Sequence, residues 1–344
     1  MRLPLILTGT LAIGMFVAVD TLPCMAADDE AGVSGIRPRI IATTDGEIDD
    51  RCSMVRFLLY ANEWDIEGII YCSSKYHWVG HSWDGTEWIE HDIDLYATFY
   101  DNLRQHAPGF PSPESLKAVT FVGNIDDVGE MQKVTPGSEH IVRVLLDDKP
   151  GPVYLQAWGG TNTIARALKT IQEQHPDEMA RVSQKARIYI ILDQDATFRE
   201  YIQPNWLDIQ VLISHAFGTI AYDWDRHMPT ELHPFFQSAW MRENILTGHG
   251  PLCARYEAHP KKRDRFVAGD FRSEGDSPAF MHQIRTGLGS MAHPGYGGWG
   301  GRFVLEPGTM NVWKDARDDG DRDKTIWRWA RDFQNDWAAR ADWC

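Results

Sequence analysis

The chain has 344 residues, of which 49 are Asp or Glu and 34 are Lys or Arg, so its formal charge is −15 and its pI lies near 5.3. With no basic block to track a phosphate backbone, nucleic acid and anionic membrane surfaces are excluded as natural partners. Hydrophobic residues at 43% and charged residues at 24% sit near the globular average, which excludes disorder, collagen-like repeats and multi-span membrane architecture.

Residues 1–27 read as a secretory signal. Arg2 precedes a mostly apolar run over 3–19, and Ala26 and Ala27 supply small residues for cleavage. The run is interrupted by Thr8, Gly9, Thr10 and Gly14 and is shorter than the roughly 20 residues a spanning helix needs. Removal of the signal predicts a secreted or periplasmic protein with one domain over 36–344. In an oxidising compartment Cys52, Cys72, Cys253 and Cys344 can form two disulfides, and their spacing selects no pairing.

Along the chain, 39–44 reads as a buried strand between Pro38 and Asp45-Gly46, 49–61 as a helix with acids at its amino end, and 66–71 as a second strand. This is a βαβ unit, whose strands are parallel and joined right-handedly. The stretch 76–91 carries Trp78, Trp83 and Trp88 with His77, His81 and His91, too aromatic for an inert loop and too polar for a strand. Strands are predicted over 119–123, 153–157, 188–192 and 209–214, with a helix over 161–174. The glycine-rich stretch 287–301 predicts an irregular loop, and 324–343 a packed helix. The alternation predicts an α/β fold: a mainly parallel open sheet with helices on both faces and a Rossmann-like core. Ligands of such folds bind beyond the carboxyl ends of the strands. Asp45, Ser73, Ser74, Asn124, Asp193 and Asp195 fall at those ends.

Thr44-Asp45-Gly46-Glu47-Ile48-Asp49-Asp50 is the most informative segment. A helix cap accounts for one acid here but not for three. Carboxylates this close raise one another's pKa unless a cation compensates them. A hard ion such as Ca²⁺, which takes six to eight oxygen ligands, does so and leaves positions for water and sugar hydroxyls. The acidic run Asp318 to Asp323 lacks the glycine and the distal Glu of a calcium-binding loop and reads as a solvated turn.

From Thr43 to Asp50 the segment resembles the Asp-Thr-Asp-Pro-Gly-x-Asp-Asp motif of the inosine-uridine nucleoside hydrolase family, with Thr43 for the leading Asp and Gly46-Glu47 for Pro-Gly. The stretch 45–71 is more similar still to exported nucleoside-hydrolase-like proteins described as cellulose-binding, a resemblance that covers most of the mature chain. Gly159-Gly160-Thr161-Asn162-Thr163-Ile164-Ala165 resembles the family's Gly-Pro-Leu-Thr-Asn-Ile-Ala segment, and Glu274-Gly275-Asp276-Ser277-Pro278-Ala279 resembles its His-Asp-Pro-x-Ala segment. The resemblance implies that Asp45, Asp50, Asp276 and the carbonyl near Asn162 bind Ca²⁺, that Asp49 and Asn162 contact the sugar, and that Asp45 is the base for an attacking water. It implies hydrolysis of an N-glycosidic bond with inversion and no protein nucleophile. Trp78, in the Trp-rich loop, is placed to stack on a sugar or base.

Two departures stand out. Gly275 replaces the histidine that the family uses to protonate the departing base, and Ser73-Ser74-Lys75 replaces a ribose-contacting Gly-Asn segment. His77, His81, His282 and His293 are the alternative acids. Two functions are therefore expected to compete: a secreted Ca²⁺-dependent hydrolase of a small nucleoside or glycoside, and a protein that binds cellulose or another polysaccharide on a catalytically altered scaffold. Such relatives often carry a following sandwich-like domain, which a chain ending at Cys344 is expected to lack. A homo-oligomer is compatible with either function.

Overall fold

In the computed structural model, which describes residues 37–259 and 266–344, strand and helix alternate from the first element on. The secretory segment expected over 1–27 lies outside the described residues. In chain order the main elements are β1 (Arg39–Thr44), α1 (Ile48–Leu59), β2 (Asp65–Tyr71), α2 (Trp88–Ala97), β3 (Thr120–Val122), α3 (Pro136–Leu146), β4 (Val153–Ala157) and α4 (Asn162–Gln174). Then come β5 (Ala186–Ile191), β6 (Gln210–Ser214), α5 (Gly250–Ala258), α6 (Ser277–Met281), β7 (Phe303–Leu305), β8 (Val312–Asp315) and α7 (Ala330–Ala341).

The strands form one eight-stranded sheet in the order β3-β2-β1-β4-β5-β6-β8-β7, and every pairing is parallel except that of β7 with β8. Side chains alternate across a strand, and β1 shows the result. Ile40 and Ala42 join one apolar layer with Phe57 of α1, Tyr256 of α5 and Trp337 of α7. Ile41 joins a second layer with Ile141 of α3 and Ile164 and Leu168 of α4. Both faces are thus covered, which is why the central strands read as continuous apolar runs rather than as alternating ones.

Two features differ from the expected elements, and a third, the acidic turn, matches. The strands β7 and β8 were not legible, because three- and four-residue segments carry too little periodicity; they are strands through pairing with one another and with β6. The helix expected over 324–343 is broken, with a single turn at Lys324–Trp327 and then α7, because Trp329 leaves helical backbone geometry at φ −101° and ψ 1°. The acidic run after β8 is a tight turn tied by Arg302 and Arg328 to Asp318, and by Lys324 to Asp319.

The strand order reverses direction between β1 and β4: the chain moves outward through β2 and β3, then returns to build β4, β5 and β6 on the other side. Connections leave β1 and β4 on opposite faces and open a crevice at their carboxyl ends. The opposite edge is closed by ion pairs. Arg39, at the start of β1, bonds Glu67 at 2.7 Å and Asp147 at 3.2 Å, and Lys185, just before β5, also reaches Asp147.

Candidate metal and sugar site

The segment after β1 turns sharply into α1. Gly46 makes the turn at φ +78°, and a Cβ there would lie 2.9 Å from the Trp88 indole nitrogen, so both conformation and space demand glycine. The turn places Asp45 at the strand end and Asp49 and Asp50 in the first turn of α1, where the helix dipole favours negative charge. The Thr44 hydroxyl and the Asp45 N–H, the latter at 3.2 Å, both donate to Asp50 Oδ1.

Asp276 arrives from the far end of the chain. Glu274, two residues earlier, is fully buried and paired with Arg56 of α1 at 2.5 Å, and Ser277 donates to the same carboxylate at 2.8 Å. Arg56 is in turn held by Gln334 and lies over the Trp337 ring. This anchor fixes the 274–277 segment against α1. As a result one carboxylate oxygen each from Asp49, Asp50 and Asp276 lies within 4.8 Å of the others, and all three residues are buried.

Such a cluster is electrostatically uncomfortable by itself. Burial, then the neighbouring Asp50, pushes the Asp49 carboxyl up to about 7, against the pull of the Tyr222 hydroxyl, which donates to it at 2.8 Å. Burial and Asp45 hold the Asp50 carboxyl well above its ordinary range. Hard oxygen donors that need compensating positive charge are the donor set a divalent cation such as Ca²⁺ takes.

The sequence-predicted residues separate into two groups. Asp45, Asp49, Asp50 and Asp276 come together, with Asp45 against Asp50. Asn162 has its amide committed to the scaffold: Nδ2 donates to Ser73 Oγ and the Asn124 carbonyl at 2.9 Å each and to the Glu130 carbonyl at 3.1 Å. Its carbonyl belongs to the first turn of α4. Trp78 sits in the loop after β2, stacked on His81 at 4.2 Å, with Tyr76 exposed nearby and Lys75 over the Tyr76 ring. Asp195 caps α4 through the Asn162 N–H and the Thr161 hydroxyl and is a scaffold residue.

Each of the four candidate histidines is engaged with neighbours of its own. Burial lowers His282 to about 4, where it packs between Tyr189 and Phe303. Burial, then Arg51 and His81, lowers His77 to about 4. His81 is stacked on Trp78, and His293 packs on Tyr296 and Trp313. At Gly275 a Cβ would stand 2.6 Å from Asp49 Oδ2 and 3.3 Å from the Phe217 ring, so this backbone has no room for a side chain where the resemblance expects histidine. Tyr222 was missed from the sequence, and Trp88 was noted there only as one of the Trp-rich stretch. Tyr222 lies 173 positions from Asp49 with no motif around it, and only the sheet order joins them.

Residues 39–303 match the family described as cellulose-binding Sde182, nucleoside hydrolase-like domain. The chain belongs to that family. A nucleoside hydrolase-related hypothetical protein from Saccharophagus degradans, associated with carbohydrate metabolism, superposes with a TM-score of 0.72 at 29% identity over 89% of this chain and 72% of that one. A plant nucleoside hydrolase (TM-score 0.45, 10% identity, 88% of this chain and 98% of that one) and an inosine-guanosine nucleoside hydrolase (TM-score 0.45, 13% identity, 90% and 100%) match more loosely. No curated protein matches. The fold of this nucleoside hydrolase-like domain is therefore that of its family, with the carboxylate cluster at the β1/β4 crevice. No helix among the described residues is long and apolar enough to cross a membrane.

Proposed function

We propose that this nucleoside hydrolase-like domain binds Ca²⁺ through its aspartates and hydrolyses the N-glycosidic bond of a ribosyl or related small glycoside. The observation that carries the reading is the convergence of Asp49, Asp50 and Asp276, with Asp45 against Asp50, at the carboxyl ends of β1 and β4. Asp45, Asp50 and Asp276 are the proposed ligands, with the Asn162 carbonyl as the further oxygen to test. The ion would supply positive charge that polarises water and orients sugar hydroxyls. Asp45 takes the proton of the attacking water. Asp49, held by Tyr222, accepts a hydrogen bond from a sugar hydroxyl, and the surrounding carboxylates favour the positive charge that develops on the sugar ring. Because Gly275 provides no acid, the substrates favoured are those whose leaving group departs without protonation. The signal-like composition of 1–27 supports an exported enzyme.

A second reading, carbohydrate binding without turnover, is favoured by Gly275, by the aromatic loop with Trp78 and Tyr76, and by the family's description as cellulose-binding. One experiment separates the two. Purified protein is assayed with Ca²⁺ or chelator against nucleosides and nitrophenyl riboside, and in parallel for retention on cellulose. Ca²⁺-dependent release that Asp50→Asn abolishes supports the hydrolase. No release, together with retention that Asp50→Asn leaves intact, rejects it in favour of binding.

A further inference from the structure

Two of the four buried or half-buried thiols meet at the end of the helical layer that backs α1. On α5 the residues Gly250, Cys253 and Tyr256 follow one another at three-residue spacing and share a face, while on α7 Trp337, Ala341 and the following Cys344 form the facing stripe. Tyr256 packs on Trp337 with ring centroids 5.4 Å apart. At the other end of the seam, a Cβ on Gly250 would stand 3.2 Å from Cys344 Cβ. The pairs run in opposite directions along the two helices, so the helices are antiparallel and Cys253, one turn from Gly250, lies on the seam beside Cys344. Cys253 is fully buried there, and Cys344 is half-buried.

We propose that Cys253 and Cys344 are the partners of an intramolecular disulfide that pins the carboxyl end of α7 to α5. The neighbouring Cys344 thiol, with burial, pushes the Cys253 thiol upward, in keeping with the approach of the two helices at Gly250 and Cys344. Among the described residues the other two cysteines are held elsewhere: Cys52 against Ser273, and Cys72 against Thr43 and Gly159. Oxidation uses a small-molecule disulfide such as oxidised glutathione. The Cys344 thiolate attacks one of its sulfurs, forms a mixed disulfide and expels one glutathione thiolate. The deprotonated Cys253 sulfur then attacks Cys344 Sγ and expels the second. Two protein thiols lose two electrons and two protons, and one oxidised glutathione becomes two reduced ones. The half-exposed Cys344 is the entry point, because Cys253 is closed to solvent. The bond constrains the 90 residues between the two cysteines in the unfolded chain, the origin of its stabilising effect in the chain-entropy account.

The test uses the full chain at about pH 8.5, where the thiolate fraction of a thiol is larger than at neutral pH, with oxidised glutathione, followed by alkylation, non-reducing digestion and mass spectrometry. The expected result is a linked peptide pair containing Cys253 and Cys344. Thermal unfolding should then fall by roughly several degrees when dithiothreitol is added. Cys344→Ser should show neither the linked pair nor the reductant-dependent shift. Full alkylation of both cysteines after oxidation, a different pairing, or a stable glutathione adduct on Cys344 overturns the proposal.

Discussion

At Gly275 the missing side chain says more than any residue present. Its Cβ position is 2.6 Å from Asp49 Oδ2, and that oxygen belongs to a carboxylate fixed from the other side by Tyr222. Gly275→Ala should therefore displace Asp49, weakening sugar binding at least tenfold in calorimetric titration while costing about 1–3 kcal/mol of stability, the usual range for overpacking. Gly275→His should behave the same way and install no useful acid. Asp50→Asn makes the opposite trade. The Asp50 carboxyl is held above its ordinary range, so the metal-free fold loses stability as pH rises through that raised pKa. The amide keeps an acceptor for Thr44 and removes this penalty. The metal-free variant should unfold at a higher temperature than wild type at pH 7.5, yet show no Ca²⁺-dependent shift in melting temperature. A retained shift would remove Asp50 from the ligand set.

At the scale of elements, α1 joins the two ends of the chain. Its amino terminus presents Asp49 and Asp50, and one face lower down carries Arg56 to Glu274, which fixes the segment bearing Asp276. Arg56→Met leaves Glu274 buried without its cation and should cost about 3–5 kcal/mol in urea unfolding. The double variant with Glu274→Gln should recover most of that loss, because replacing both charges removes the uncompensated one. Cation binding should stay weak in both, since Asp276 loses its anchor; recovery of binding in the double variant would argue that another contact positions it. The first aspartate segment was legible because a strand-to-helix turn with three acids is a local pattern. Glu274 and Arg56 were not, since a single Arg inside an apolar helix carries no mark of a partner 218 positions away.

For the whole molecule, the sheet separates two electrostatic jobs. Its carboxyl edge gathers acids, and its amino edge neutralises charge internally through Arg39, Glu67, Asp147 and Lys185. Burial pushes Asp147 upward, but hydrogen bonds from Arg39 and Lys185 prevail and hold it below its ordinary 3.8. Its contribution is therefore complete above that pH and is lost as pH falls through the lower folded value. Asp147→Asn should cost about 2 kcal/mol at pH 7, and the gap to wild type should narrow as unfolding is measured below about pH 4. A gap that stays constant down to pH 2 would show that the carboxylate charge is not what holds this edge.

The sequence by itself determined the α/β class, the parallel core strands, the position of the aspartate turn and the glycine that stands for histidine. These are properties of short windows, where periodicity, turn chemistry and motif spacing act on neighbours. Only the tertiary structure decided that Asp49 joins Asp50 and Asp276 while Asn162 is drawn into the scaffold, that β7 and β8 extend the sheet, and that Tyr222 and Glu274 serve the site. Each of those depends on the strand order β3-β2-β1-β4-β5-β6-β8-β7. That order is set by which apolar faces can be buried together, a property no local window contains.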